Sequence, residues 1–156
     1  VVAIVFFLPG TPVRQRAAIV AAAAASAAAL ALSTVIGIIY YRPRPAIAYP
    51  HLIHSIVKVS PDSSFPSDHT AVAFAIAVPL AAAYPKAWPV WIAAVLIGFG
   101  RVSLGAHWPS DVIVGGILGA ILGLAAMRAE TALLAPLTRF LESLPLPRRS
   151  IRRSTI

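Results

Sequence analysis

The sequence contains no cysteine, a single methionine and only five acidic residues among 156. Without thiols there is no disulfide framework and no thiolate zinc site, although this alone does not assign a compartment. Charged residues make up 12% of the chain and hydrophobic ones 59%, a balance that excludes an ordinary soluble domain and predicts a membrane protein. The scarcity of acid leaves a net charge of +8. A nucleic-acid partner is not expected, because the basic residues are neither interleaved with exposed aromatics nor aligned along one recognition helix. Arg148, Arg149, Arg152 and Arg153 instead follow the last hydrophobic run, as a juxtamembrane tail or a topology signal would.

Apolar runs of about 20 residues are the length a spanning helix needs. Ala17 to Tyr41 meets it, and Thr70 to Tyr84, Trp88 to Gly100 and Val112 to Met127 are shorter runs that their flanks extend. Trp88, Trp91, Trp108 and the tyrosines are placed to anchor at interfaces. The reading is an all-α, polytopic transmembrane helix bundle with four complete spans. Val1 to Leu8 reads as an N-terminal stub of an apolar segment, so the natural N-terminus is expected upstream. Glu130 to Leu144 is expected as an amphipathic surface helix, interrupted by Pro136. The membrane domain is placed at 1–144 and a basic cytoplasmic tail at 145–156.

Consecutive spans alternate in direction, which sorts the polar segments onto two faces. One collects Arg14, Arg16, Lys86, Arg128, Arg139 and the tail arginines; the other has only Arg42, Arg44, Lys58 and Arg101. The cytoplasmic bias of Lys and Arg makes the first face cytoplasmic. The second, extracytoplasmic face then gathers Arg42, Arg44, Ser67, Asp68, His69, Arg101, His107 and Asp111, which are dispersed along the sequence. Ionisable groups brought together at spanning-helix ends are a functional-site hypothesis.

Three stretches carry these residues. In "FPSDHT", Ser67 is placed to cap a helix whose free amides would face an anion beside His69; a plain helix cap with an interfacial histidine is the other reading. In "GRVSLGAHWPSD", Asp111 folds back from a first helical turn to accept a hydrogen bond from His107, leaving one ring nitrogen as a nucleophile. An interfacial histidine with a capping aspartate has the same pattern. In "YYRPRP", Arg44 and Arg42 offer guanidinium forks that match phosphate oxygens, or they snorkel at the membrane boundary. Arg42 is the one read as mainly interfacial.

Together the three resemble the signature of the type 2 phosphatidic acid phosphatase superfamily: Arg44-Pro45, then Pro66-Ser67-Asp68-His69, then Arg101, His107 and Asp111 at the family spacing. Two positions depart, Gly37 where the family has lysine and Gly100 where it has serine. Asp68 in place of glycine, with "RPRP" and "SSFPSDHT", resembles the bacitracin-resistance branch, which dephosphorylates undecaprenyl diphosphate. The resemblance implies His107 as the nucleophile forming a phosphohistidine, Asp111 as its orienting partner and His69 as general acid and then base. It further implies a phosphate cradle of Arg44, Arg101, Ser67 and the amides of Asp68 and His69, with Arg42 or Lys58 as a stand-in for the absent lysine. The expected substrate is a polyprenyl diphosphate lipid in the plasma membrane, handled on the extracytoplasmic face. No cofactor or metal is implied, and the sequence leaves oligomeric state undefined. Phosphatidate or phosphatidylglycerol phosphate, or non-catalytic lipid-phosphate binding, are the alternatives. His51 and His54 read as exposed loop residues in the long segment before Ser64, a segment whose length suits a headgroup cover.

Overall fold

Pro12 leaves its carbonyl to accept the amides of Gln15 and Arg16, and the first helix begins directly after it. The computed structural model describes residues 12–143. The expected stub Val1 to Leu8 and the tail 145–156 lie outside the described residues. The described residues form α1 (Val13–Ile39), a one-turn α2 (Pro45–Ala48), α3 (Asp68–Ala83), a 3-10 turn at Pro85–Ala87, α4 (Pro89–Ser103) and α5 (Pro109–Ser143), with no strand among them. α1 stops where the Arg42-Pro43-Arg44-Pro45 sequence cannot continue a helix. Proline also opens α2, α4 and α5, where its fixed φ suits the first turn and its missing N–H would be unpaired anyway.

The helical stretch expected from Glu130 is not interrupted at Pro136: α5 runs without a break from Pro109 through Pro136 to Ser143. An internal proline removes one hydrogen bond and crowds one carbonyl, and here the turns on either side carry the helix past it. Among the described residues, two stretches, Arg14–Ile39 and Pro109–Ala132, are long and apolar enough to cross a membrane; α3 and α4 are apolar but shorter, at 16 and 15 residues.

The packing is inverted relative to a water-soluble bundle. The buried positions are mostly alanines, among them Ala21, Ala25 and Ala29 of α1 and Ala71 and Ala75 of α3, whereas Ile38, Phe99, Ile113, Ile117 and Ile121 point outward and are exposed. Small residues inside let helix backbones approach; large apolar ones outside belong in hydrocarbon. This is the arrangement of a membrane protein.

α5 meets α3 along a glycine face. A methyl group at Gly115 would lie 2.4 Å from the Ser67 carbonyl oxygen, and one at Gly119 only 2.0 Å from that of Ala71. The four-residue spacing repeats at Gly123, against Val78 and the buried Pro79. Backbone-to-backbone contact therefore fixes the start of α3 beside the start of α5, where the Ser67 amide donates to the Asp111 carbonyl at 3.0 Å. At the far end of the bundle, Arg14 donates to the Ala82 carbonyl, so α1 and α3 run antiparallel.

Candidate active site

Chain direction puts the end of α1, the start of α3, the end of α4 and the start of α5 at one pole of the bundle. His107 sits there in the short connection between α4 and α5, with its side chain buried. The connection can turn inward because Gly105 adopts a positive φ of 65°, a conformation that other residues rarely adopt, and because its missing side chain leaves room for Ile53 and Ala46.

The hydrogen bonds of His107 define its tautomer. Nδ1 lies 2.6 Å from the Ser64 carbonyl oxygen; a carbonyl only accepts, so Nδ1 carries the proton. Nε2 therefore presents a lone pair. It accepts from Arg44 Nη1 at 3.0 Å, with Arg101 Nη2 at 3.5 Å. Burial, followed by the positive charges of Arg44 and Arg101, pushes the imidazole pKa down to about 4, against the opposing pull of the Ser64 carbonyl and Asp68. At neutral pH the ring is thus an uncharged base facing two guanidiniums.

Among the described residues, Asp111 makes no hydrogen bond to His107, contrary to the sequence expectation. Its Oδ1 accepts from Arg42 Nη1 at 2.6 Å; its Oδ2 accepts from the Ser64 hydroxyl and from the Trp108 amide at 2.9 Å. The carboxylate turns back onto the start of its own helix, and the chain at 63–65 threads between it and the histidine. Ser64 takes the place beside the ring that the motif spacing had given to Asp111. Arg42 also departs from its reading as an interfacial arginine: besides the ion pair with buried Asp111, its guanidinium lies 5.2 Å from the centre of the Trp108 ring.

Arg44 is buried, and its fork is already occupied. Nε and Nη2 both donate to Asp62 Oδ1, at 3.1 and 2.9 Å, while Nη1 reaches the Ala106 carbonyl and His107. Its two-pronged edge grips an aspartate, so only Nη1 points at His107 Nε2. Arg101 has a buried Nε with no partner among the described residues.

The "PSDH" stretch starts α3 as expected, with a different capping pattern. Ser67 stands at the N-cap but its hydroxyl pairs with the Thr70 hydroxyl at 3.0 Å and does not cap the helix. Asp68 Oδ1 accepts from the His69 amide and lies 2.7 Å from His69 Nδ1 and 3.8 Å from His107 Nε2. The carboxylate thus lies between the two imidazoles, and the His69 ring is half exposed at the mouth of the site.

Ligand atoms of Asp68, His69 and His107 lie within 4.8 Å of one another, near enough to suggest a metal. The donor set does not suit a divalent cation: the His107 lone pair is held by one guanidinium and faced by a second, and added positive charge there is repelled. The departures at the two family positions are also legible. A side chain at Gly37 would press on Ser63 and the Phe65 carbonyl at 3.2 and 3.3 Å, whereas at Gly100 nothing lies within 4 Å. Lys58, His51 and His54 are exposed.

Sequence reasoning missed Ser64 and Asp62. The only signal was the polar run Asp62-Ser63-Ser64 directly before the "FPSDHT" stretch.

The family model described as the PAP2 superfamily matches residues 17–134. This chain belongs to that superfamily. Within it, the PAP2 chain is 34% identical over 116 residues to undecaprenyl-diphosphatase BcrC of Bacillus subtilis, covering 74% of this chain and 59% of the relative. It is 39% identical over 74 residues to an undecaprenyl-diphosphatase of Sulfolobus acidocaldarius, covering 45% and 35% respectively. Among solved structures it resembles LpxE of Aquifex aeolicus at 26% identity and a TM-score of 0.70, over 81% of this chain and 73% of that one. The PAP2 chain thus spans about 59% of the length of the BcrC relative.

Proposed function

We propose that this PAP2 chain is a membrane lipid phosphatase that removes the terminal phosphate of a polyprenyl diphosphate through a phosphohistidine at His107. The observation that carries the reading is the buried, uncharged His107 with its Nε2 lone pair between Arg44 Nη1 and Arg101 Nη2. A nucleophile that stays unprotonated at neutral pH, backed by donors for phosphoryl oxygens, supplies what phosphoryl transfer needs. Nε2 forms a bond to the terminal phosphorus as the bond to the bridging oxygen breaks. His69, its Nδ1–H held by Asp68, gives the leaving oxygen a proton from Nε2. Water then attacks the phosphohistidine with His69 as base, releasing phosphate. Arg44, Arg101, Ser67 and the first amides of α3 hold the phosphoryl group, and Arg42 holds the Asp111 carboxylate in place.

An apolar groove supports a lipid substrate. It has a volume of about 410 Å³, is lined by Leu30, Val72, Ala73, Ile76 and Ile97, and ends at Asp68 and His69. A hydrocarbon chain in it would bring its first phosphate to the reactive end. Names among the relatives favour undecaprenyl diphosphate. A relative from Rhizobium johnstonii, 38% identical over 92 residues that cover 57% of this chain and 37% of that protein, is named for a different phosphorylated lipid, as lipid A 1-phosphatase.

The test is phosphate release by purified protein from undecaprenyl diphosphate, phosphatidate and phosphatidylglycerol phosphate, each with and without chelator. Fastest, chelator-insensitive release from the diphosphate is expected. No release from any of the three by folded protein overturns the enzymatic reading, and faster release from phosphatidate replaces the substrate.

Four spans with the site on the extracytoplasmic face complete the proposal, on the strength of the asymmetric placement of Lys and Arg. A cysteine at position 63 is expected to react with an impermeant thiol reagent outside intact cells, and one at position 86 to remain unlabelled. The reverse pattern puts the site in the cytoplasm.

A further inference from the structure

Ser64 is completely buried, yet every polar group of the residue is engaged. Its amide donates to the Arg42 carbonyl at 2.7 Å, its hydroxyl donates to Asp111 Oδ2, and its carbonyl accepts the Nδ1 proton of His107 at 2.6 Å. The neighbours reinforce the position: the Ser63 hydroxyl bridges the Tyr40 and Phe65 carbonyls, and the Phe65 ring meets that of Tyr40 edge-on. One residue therefore joins the segment after α1, the start of α5 and the reactive imidazole.

We propose that Ser64 is the positioning residue through which Asp111 acts on His107. The proposal rests on the reading of His107 as the phosphoryl acceptor. In the familiar arrangement a carboxylate bonds directly to the histidine, fixing its tautomer and stabilising positive charge on the ring. Here the two tasks are divided. The Ser64 carbonyl fixes the tautomer, because it can accept only from a protonated Nδ1. The charge lies one residue further away, on Asp111, and is linked to that carbonyl by the serine hydroxyl. When Nε2 bonds to phosphorus the ring becomes cationic, so the Nδ1–H···O=C bond strengthens and its oxygen must not move. The hydroxyl bond to Asp111, itself tied to Arg42 and the Trp108 amide, holds that oxygen in place.

This arrangement differs from independent action in a measurable way. Ser64→Ala keeps the carbonyl but removes the anchor, and is expected to lower kcat roughly ten- to a hundredfold, the range for one hydrogen bond to a charged group. KM should change less than about threefold, because the phosphate-facing donors remain. Ser64→Thr restores the hydroxyl and should recover most of the loss. Asp111→Asn is expected to lower kcat by more than Ser64→Ala, and the double variant should be no slower than Asp111→Asn alone, since both act on one path.

Full activity in Ser64→Ala, or losses that multiply in the double variant, overturn the proposal. If Ser64→Ala does not fold, the ¹⁵N shifts of His107 in the unaltered protein decide: a Nδ1–H tautomer is expected, and a Nε2–H tautomer overturns it. Failure of the underlying phosphatase reading looks different, as undiminished phosphate release by His107→Ala.

Discussion

Arg42 Nη1 lies 2.6 Å from Asp111 Oδ1, and the same guanidinium stacks over Trp108, whose indole N–H donates to the Pro43 carbonyl. Among the described residues, the only charged partner of a buried aspartate is thus an arginine two residues before Arg44, reached across the site from another element.

Removing that arginine should destabilise the protein more than it disturbs phosphate binding. Arg42→Ala leaves the Asp111 carboxylate buried without its cation, at a cost on the order of 2 kcal/mol, below the range for fully buried pairs because the Arg42 side chain is about one-third exposed. Arg42→Lys keeps the charge, gives up the planar stack on Trp108, and should fall between. Unfolding midpoints in detergent, compared with KM, check this. A raised KM with an unchanged midpoint would show that Arg42 binds substrate.

Arg44→Lys is expected to lower kcat/KM roughly ten- to a hundredfold, since a point charge cannot hold Asp62 and face His107 Nε2 together. Asp62→Asn should produce a smaller loss, because Asp62 holds Arg44 from a solvent-exposed position. Steady-state kinetics of the two variants separate the roles, and a larger loss at Asp62 would make the loop the dominant element.

Acidification should act on stability through His107. Its folded pKa of about 4 lies below the unfolded value of 6.5, so between those values the unfolded chain binds the proton and the folded chain does not. Stability contributed by the neutral ring is therefore complete above about pH 6.5 and lost as pH falls toward 4. His107→Asn should flatten this slope in a series of unfolding midpoints from pH 7 to 4. An identical slope in both proteins assigns the acid sensitivity elsewhere.

Gly119→Ala tests the helix contact that sets the site. Its new methyl group would meet the Ala71 carbonyl oxygen at 2.0 Å, forcing α5 away from α3 at about 1–3 kcal/mol, the usual cost of overpacking. Lower thermal stability and slower phosphate release are expected together. Gly100→Ala, where the added atom meets nothing within 4 Å, should lack the steric penalty.

The helical plan was legible because composition and apolar run length depend on the chain alone. The alternation of helix direction then brought Arg44, His69, Arg101, His107 and Asp111 to one pole. What the sequence concealed were contacts made by the irregular segment 49–67. No periodicity could show that it would insert Ser64 between Asp111 and His107, or deliver Asp62 to Arg44. The motif spacing suggested a direct Asp111–His107 bond because it measures separation along the chain, not what passes between. Pro136 misled for a similar reason: a proline signals a lost hydrogen bond, and the neighbouring turns decide whether the helix survives it.

The brevity of α3 and α4 bears on the depth at which the chemistry occurs. Helices of 16 and 15 residues rise only about 24 and 22 Å, short of the roughly 30 Å hydrocarbon layer. With α3 and α4 as two of the four proposed spans, a bilayer around them must thin locally or let the His107 pole sit beneath the headgroup plane. In either case a lipid phosphate is met near its resting level, without being drawn far into water. On the proposed phosphatase reading, membrane thickness then becomes a control on turnover, and short-chain and long-chain host bilayers should differ in rate even when headgroup and protein are unchanged.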